Sequence, residues 1–160
     1  MKKILITTLL MFVFLQPSFG AGSSSDGGNS KTDYEKAVKF VEQGKKYDEK
    51  GKTDKAQKRY KKAQKLLLKS NKEIPGKADT LNYLGFTTRK LGDFENGEKY
   101  YLQGLAIDPN HKGINEYLGE LYVATKRHNL AVERLEVLKG CNCEEYEQLK
   151  AVIAGQPSKY

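Results

Sequence analysis

Apolar residues between positions 81 and 110 recur with the spacing of two consecutive helices. The first stripe consists of Leu81, Leu84 and Leu91, and the second of Phe94, Tyr101 and Leu105. Gly92 and Asp93 separate the stripes, and Asp93 stands where a side chain can cap the second helix. The segment Asp108-Pro109-Asn110 ends the second stripe. This pattern predicts an antiparallel helical hairpin, whose apolar face must be buried against neighbouring elements.

The neighbours are indicated by small residues that recur in three units, 37–70, 78–111 and 112–145. In the first helix of each unit the small residue is Gly44, Gly85 or Gly119. In the second helix it is Ala56, Gly97 or Ala131, and the residue four positions later is Tyr60, Tyr101 or Leu135. A small residue that faces a large one allows two helices to pack closely. We therefore expect three stacked hairpins.

This arrangement resembles the tetratricopeptide repeat (TPR), a helix–turn–helix unit of about 34 residues. The second and third units begin 34 residues apart, and the first and second begin 41 apart. Phe40 matches the opening aromatic position of the family pattern, and Pro109 matches its closing proline. The strings Asn-Glu-Tyr-Leu-Gly-Glu-Leu-Tyr and Cys-Glu-Glu-Tyr-Glu-Gln-Leu-Lys are similar to those of small exported bacterial TPR proteins without an assigned activity. The resemblance implies an all-α fold, a right-handed α-α superhelix of about three hairpins with a C-terminal capping helix.

The predicted TPR domain spans residues 31–154, which is long enough for one continuous core. Thr53 is a candidate N-cap in the first hairpin, and a break is expected at 71–76. A capping box from Asn142 to Glu145 predicts the capping helix over about 143–154, and residues 155–160 are expected to form a loose tail. The other predicted helices, besides the hairpin at 81–110, cover 31–50, 52–70, 112–125 and 129–139.

Residues 1–20 have the pattern of a cleavable signal peptide. Lys2 and Lys3 precede an apolar run at 4–15, and Ser18 and Gly20 supply small residues before a cleavage site at Ala21. The run is short for a membrane span, although an uncleaved anchor stays open as the alternative. Residues 21–30 are predicted to be a flexible leader. We expect a periplasmic or secreted protein of a bacterial envelope.

The positive charge is concentrated in the first hairpin. Residues 45–77 carry thirteen Lys or Arg against four acidic residues, a net of +9, whereas 78–110 and 111–154 net −2 and −1. The cluster considered as a basic patch consists of Lys55, Lys58, Arg59, Lys61, Lys62 and Lys65. It is either a solvated helix face or a docking site for an acidic protein, a membrane surface or an anionic envelope polymer. No nucleic acid is expected, because arginine-rich and base-stacking motifs are absent from the sequence.

Cys141 and Cys143 are the two cysteines of the chain. In an oxidising compartment they are expected to pair, with free thiols and a redox or metal-handling role as the alternatives. No metal site and no cofactor are predicted, because His111 and His128 stand apart from any ligand set. No catalytic motif and no carboxylate isolated in an apolar run is recognised, so an enzyme is not expected.

The resemblance also implies a binding groove, since the first helices of TPR units line a concave surface that holds peptides. Carried onto this chain, the groove residues are Lys45, Asp79, Asn82, Tyr83, Phe86, Arg89, Lys90, Glu116, Tyr117 and Glu120. Their mixture of polar and aromatic side chains suits a protein or peptide partner. The alternative is that Tyr83, Phe86 and Tyr117 mainly pack between hairpins. Self-association also stays open, because three repeats leave two exposed ends.

Overall fold

The computed structural model describes residues 32–160, which form seven α-helices and, within that range, no strand. The predicted signal peptide and leader lie outside the described residues. The helices are α1 (Asp33–Asp48), α2 (Thr53–Glu73), α3 (Ala78–Lys90), α4 (Phe94–Ile107), α5 (Lys112–Ala124), α6 (His128–Leu138) and α7 (Glu144–Ile153). The pairs α1–α2, α3–α4 and α5–α6 are hairpins, and α7 packs against α5 and α6. The all-α solenoid of three hairpins and a final helix is confirmed.

Glycines that face bulky side chains set the spacing of the helices. A Cβ atom placed on Gly85 would lie 2.4 Å from the Tyr101 ring, and one on Gly44 would lie 2.3 Å from the Tyr60 ring. The small-against-large pattern therefore holds in the first two hairpins. In the third, a Cβ on Gly119 would lie 2.5 Å from a methyl group of Leu149, on α7. The bulky residue that faces Gly119 is therefore Leu149 of α7, and not Leu135 as the sequence pattern predicts.

One of the three predicted helix N-caps is found in the structure, and two are not. Asp93 caps α4 as predicted, because its carboxylate accepts a hydrogen bond from the Asn96 amide at 3.1 Å. The prediction of Thr53 as an N-cap is wrong: Lys52 holds that position without a side-chain hydrogen bond, and Thr53 is the first helical residue. The capping box at Asn142 is also wrong, since Cys143 precedes α7 and Asn142 turns through a left-handed φ of 46°. Asparagine tolerates that conformation better than most residues do.

The core runs along the middle of the solenoid. Its largest fully buried side chains include Tyr60, Phe86, Tyr101, Leu84 and Leu118. Helices α3 and α5 are contacted from both sides, and nearly all of their central residues are buried, polar ones included. None of the helices in residues 32–160 is long and apolar enough to cross a membrane. The fold therefore concentrates its burial at the helices on which most of the predicted groove residues lie.

Candidate functional site

The first helices of the three hairpins lie side by side, because α1 contacts α3 and α3 contacts α5. This arrangement brings together six of the ten predicted groove residues from three different helices. We call them the inner cluster: Lys45, Phe86, Arg89, Glu116, Tyr117 and Glu120. They are joined by hydrogen bonds, ring contacts and electrostatic interactions across the repeats.

Lys45 connects α1 to the other two helices of the cluster. Its Nζ donates a hydrogen bond to the Tyr117 hydroxyl at 2.6 Å and lies 4.9 Å and 5.0 Å from the centroids of the Phe86 and Tyr117 rings. Burial lowers the pKa of the Lys45 ammonium, and the carboxyl groups of Glu116 and Glu120 oppose that shift. The ammonium is therefore held in a fixed position by aromatic rings on one side and acidic groups nearby.

Arg89 and Glu120 form a buried ion pair between α3 and α5. The Arg89 guanidinium donates to the Glu120 carboxylate at 2.9 Å, and the two side chains are 7% and 1% exposed. Within residues 32–160, the Arg89 Nε and one carboxylate oxygen of Glu120 have no hydrogen-bond partner. A buried charge that loses its partner is strongly destabilising. These two residues are consequently part of the framework as well as of the cluster.

Glu116 lies one helical turn before Glu120 and is 4% exposed. Burial raises the pKa of the Glu116 carboxyl to about 8, and the neighbouring Glu120 carboxylate raises it further in the same direction. No hydrogen bond or ion pair to Glu116 is formed within the described part of the chain. The Glu116 carboxyl is therefore buried among the charged groups of the inner cluster, with Glu120, Lys45 and Arg89 as its electrostatic neighbours. The signal in the sequence is two acids four residues apart in the stretch 114–122, where five of the nine residues are isoleucine, leucine or tyrosine.

The other four predicted groove residues lie outside the inner cluster. Asp79 is exposed and its carboxylate lies 3.1 Å from His111 Nε2, while Lys90 pairs with Asp48 at 2.7 Å. Asn82 is buried beside Gly113, because a Cβ atom placed on Gly113 would lie 2.8 Å from the Asn82 side chain.

The three aromatic residues of the predicted groove are not open platforms. Phe86 is fully buried and Tyr117 is 7% exposed. The Tyr83 ring packs at 6.1 Å from Tyr34. The structure thus favours the interpretation that these side chains mainly pack between hairpins.

The C-terminal segment lies against the inner cluster, and the expected loose tail at 155–160 is not seen. The centroid of the Tyr160 ring is 4.0 Å from Lys45 Nζ, closer than either Phe86 or Tyr117, and Tyr160 packs against the core. Lys159 forms an ion pair with Glu144 at 3.0 Å. A cavity of about 490 Å³ adjoins this segment. Its lining includes Arg89, Lys90, Glu120, Val123, Ser158 and Tyr160.

Tyr160 is the site residue that the sequence analysis missed. Its signal is one aromatic side chain at the end of an otherwise polar segment, 156–160, in which no helical period is present. Such a pattern does not say which surface the aromatic ring contacts.

The six predicted basic-patch residues lie together on α2. With Tyr47 they line a cavity of about 670 Å³, and among residues 32–160 none of the six forms an ion pair. The Arg59 guanidinium lies 5.7 Å from the Phe40 ring centroid and 6.0 Å from that of Tyr47. The cationic groups therefore surround a concave surface that Tyr47 also lines.

The two cysteines and two histidines have separate positions. Cys141 and Cys143 are joined by a disulfide in the turn between α6 and α7. His111 caps α5, its Nδ1 accepting from the Ile114 amide at 3.2 Å, and His128 is the first residue of α6. In residues 32–160 no group of three or more His, Cys, Asp or Glu is arranged to hold a metal ion.

Comparison with protein families assigns the second hairpin. Residues 78–111 match the family model described as tetratricopeptide repeat. The second hairpin is therefore similar to a tetratricopeptide repeat, and residues 32–160 form helical hairpins stacked on one another. A comparison with curated proteins finds no match.

Three solved structures with a similar arrangement can be named. The Arabidopsis OM64 TPR domain is 15% identical over 77% of this chain and 98% of that chain, with a TM-score of 0.49. The first TPR of Spaghetti (RPAP3), bound to the HSP90 peptide SRMEEVD, is 21% identical over 77% and 97%, with a TM-score of 0.47. The first TPR domain of the human RPAP3 protein, determined by NMR, is 20% identical over 74% and 93%, with a TM-score of 0.47.

Proposed function

We propose that this chain is a non-catalytic protein-interaction module that holds an extended peptide segment against the inner cluster and the surface around it. The observation that carries the proposal is the position of residues 158–160, which lie on this surface in the structure. A surface that accepts one short irregular segment of polypeptide can accept another of similar chemistry.

The chemistry of the surface supports the same function. It combines aromatic rings, a fixed ammonium at Lys45 and carboxyl groups at Glu116 and Glu120. The Asn82 side-chain oxygen, outside the inner cluster, is buried without a hydrogen-bond partner in residues 32–160. A few polar groups held in fixed positions, which can orient a ligand, are typical of binding sites.

The compartment is part of the proposal. We place the module in the bacterial envelope, periplasmic or secreted, on the strength of the signal-peptide pattern at 1–20. A disulfide between Cys141 and Cys143 is in keeping with an oxidising compartment. Mass spectrometry of the exported protein should give a mature chain that begins at Ala21. An intact N-terminus in the cytoplasmic fraction would contradict this.

The groove is tested with peptides selected from a random library on the immobilised protein. Substitution of Asn82 and Arg89 is unsuitable, because both are buried and their loss would perturb folding. Lys45→Met instead removes one ammonium and keeps the length of the side chain. The matched control is Lys99→Met on α4, which is exposed.

Selected peptides should shift the amide resonances of α1, α3 and α5, and Lys45→Met should weaken their binding about tenfold or more. Lys99→Met should leave the affinity within about twofold. The groove is not the site if the peptides shift the amide resonances of α2 and α4 instead, or if Lys45→Met leaves their affinity unchanged.

A second candidate function is supported by the basic patch. Six cationic groups without ion pairs in the described residues surround one concave surface, which suits an anionic envelope polymer or membrane surface. Long-chain polyphosphate is a suitable probe. Lys58→Glu with Lys62→Glu should abolish its binding, whereas Lys112→Glu with Lys150→Glu, which changes the net charge equally, should weaken it much less. Equal effects of the two pairs, or binding indifferent to salt, would exclude a localised site.

A further inference from the structure

The contacts of the C-terminal segment specify the chemistry of the groove's ligand; this inference rests on the proposed function. We infer that the inner cluster selects a segment in which an aromatic side chain follows a basic one, and that Tyr160 is a resident competitor that such a segment must displace. Residues 158–160 of the chain itself occupy the position that we assign to the ligand, and their contacts show which side chains the position accepts.

The aromatic part of this preference follows from the environment of Lys45. Its ammonium is fixed by the hydrogen bond to Tyr117 and has the Phe86 and Tyr117 rings as permanent neighbours. The third and nearest ring, at 4.0 Å, belongs to Tyr160. Phe86 and Tyr117 are buried in the core, whereas Tyr160 belongs to a segment with no regular secondary structure. The Tyr160 ring therefore occupies the one exchangeable aromatic position of the three.

The basic part of the preference follows from Lys159. Its ammonium reaches Glu144 at the start of α7, and both side chains are largely exposed, at 48% and 70%. Lys45 and Arg89 are like charges on the inner side of Lys159, and Glu120 is already paired with Arg89, so Glu144 is the carboxylate that such a basic residue meets. A basic residue next to the aromatic one meets complementary charge at the rim, where the contact orients a ligand more than it anchors it.

The position of the segment makes it a competitor. Gln156, Pro157 and Lys159 are exposed, and the segment is held mainly by the Tyr160 ring and the Lys159 ion pair. A ligand that needs the same position binds only to the fraction of molecules in which the segment has left. Its apparent dissociation constant rises by the inverse of that fraction.

The test uses a fluorescent hexapeptide with the sequence of residues 155–160, Gly-Gln-Pro-Ser-Lys-Tyr, added to the full chain. Tyr160→Ala protein should bind it about tenfold or more tightly than the unaltered protein does, as measured by fluorescence anisotropy. That difference corresponds to a segment bound for roughly nine-tenths of the time. A peptide with Tyr changed to Ala should not bind, and one with Lys changed to Ala should bind several-fold more weakly.

Two further variants assign the position. Adding Lys45→Met to the Tyr160→Ala protein should abolish binding of the hexapeptide, and adding Lys99→Met should not. The ε-methylene protons of Lys45 should lie upfield in the unaltered protein and move downfield in Tyr160→Ala, which reports the loss of the nearest ring without any added ligand.

Equal affinities for the unaltered and Tyr160→Ala proteins, or equal binding of the peptide lacking Tyr, would overturn the inference. So would concentration-dependent dimerisation that Tyr160→Ala removes, because the segment would then occupy a second copy. If the hexapeptide fails while library-selected peptides still shift α1, α3 and α5, the ligand class is wrong and the proposed function stands. If the selected peptides map elsewhere, the proposed function fails as well.

Discussion

Single glycine residues determine how closely the helices of each hairpin approach. At Gly85 a methyl group would lie 2.4 Å from the ring of Tyr101, a fully buried side chain. Alanine is favoured over glycine within a helix by about 1 kcal/mol. The steric conflict outweighs this gain: overpacking a core costs about 1–3 kcal/mol, and a conflict at 2.4 Å with a rigid aromatic ring lies at the upper end of that range. We expect Gly85→Ala to lower the free energy of unfolding by about 1–2 kcal/mol, measured by guanidinium denaturation.

Gly119 provides the control for this prediction. A methyl group there would meet the terminal methyl groups of Leu149 at 2.5 Å, and a leucine side chain can adjust where a tyrosine ring cannot. Gly119→Ala should therefore cost clearly less than Gly85→Ala. A neutral or stabilising Gly85→Ala would contradict the close contact between α3 and α4.

Glu116 makes the stability of the fold depend on pH. Its pKa is raised from 4.5 to about 8 in the folded state, so between these values the folded protein keeps a proton that the unfolded chain releases. The contribution of this group to stability therefore falls as the pH rises from about 4.5 to 8 and is constant above that. Glu116→Gln should match the unaltered protein near pH 4 and exceed its unfolding free energy by roughly 2–4 kcal/mol at pH 8.5.

The matched control is Glu133→Gln on α6, whose side chain is 60% exposed. The unfolding free energy of the Glu133→Gln protein should differ from that of the unaltered protein by the same small amount at every pH. Parallel curves for Glu116→Gln and the unaltered protein would show that the Glu116 carboxyl titrates normally.

At the level of helices, Asp93 and Thr53 are both predicted N-caps, and only Asp93 caps a helix in the structure. The effects of their substitution on stability can therefore be compared. Asp93 accepts a hydrogen bond from a free backbone amide of α4, whereas Thr53 lies inside α2 and caps nothing. Asp93→Ala should cost about 1 kcal/mol. Thr53→Ala should change the unfolding free energy by less than about 0.5 kcal/mol. Urea denaturation of both variants decides the matter, and a larger loss for Thr53→Ala would favour the sequence-based assignment.

Helix positions could be predicted because the apolar period and the small residues are local signals. The end of α2 was missed because residues 71–73 are polar but not helix-breaking, and the helix runs on to Glu73. It stops at Ile74, the residue before Pro75, where proline disfavours helical backbone. The length of α2 thus accounts for much of the extra spacing between the first two units.

The site could be predicted only as a set of candidate positions. Lys45 and Tyr117 are 72 residues apart, and their hydrogen bond depends on how three hairpins stack on one another. Arg89 and Glu120 meet across repeats for the same reason. No periodic signal connects such residues, because the register between repeats is set by side-chain packing. The contact of Tyr160 with Lys45 adds a segment without any period at all.

For the whole molecule, the solenoid should be most stable at its centre. Helices α3 and α5 are packed on both sides and bury nearly all residues of their middle turns, whereas α6 buries only Ala131 and Leu138 fully. In a linear array each unit is stabilised mainly by its neighbours, so units at the ends open first. Amide hydrogen exchange should therefore be slowest in α3 and α5 and faster in α6 and α7.

Variants give this gradient a physical test. Gly85→Ala weakens the central hairpin, so exchange should accelerate in α3 and α5 and in the helices that rest on them. Tyr160→Ala removes only a contact at the surface, and exchange in α3 should stay within about threefold of that in the unaltered protein. Uniform protection along the chain, or slowest exchange in α6 and α7, would mean that the array unfolds as one unit or is anchored at its C-terminal end.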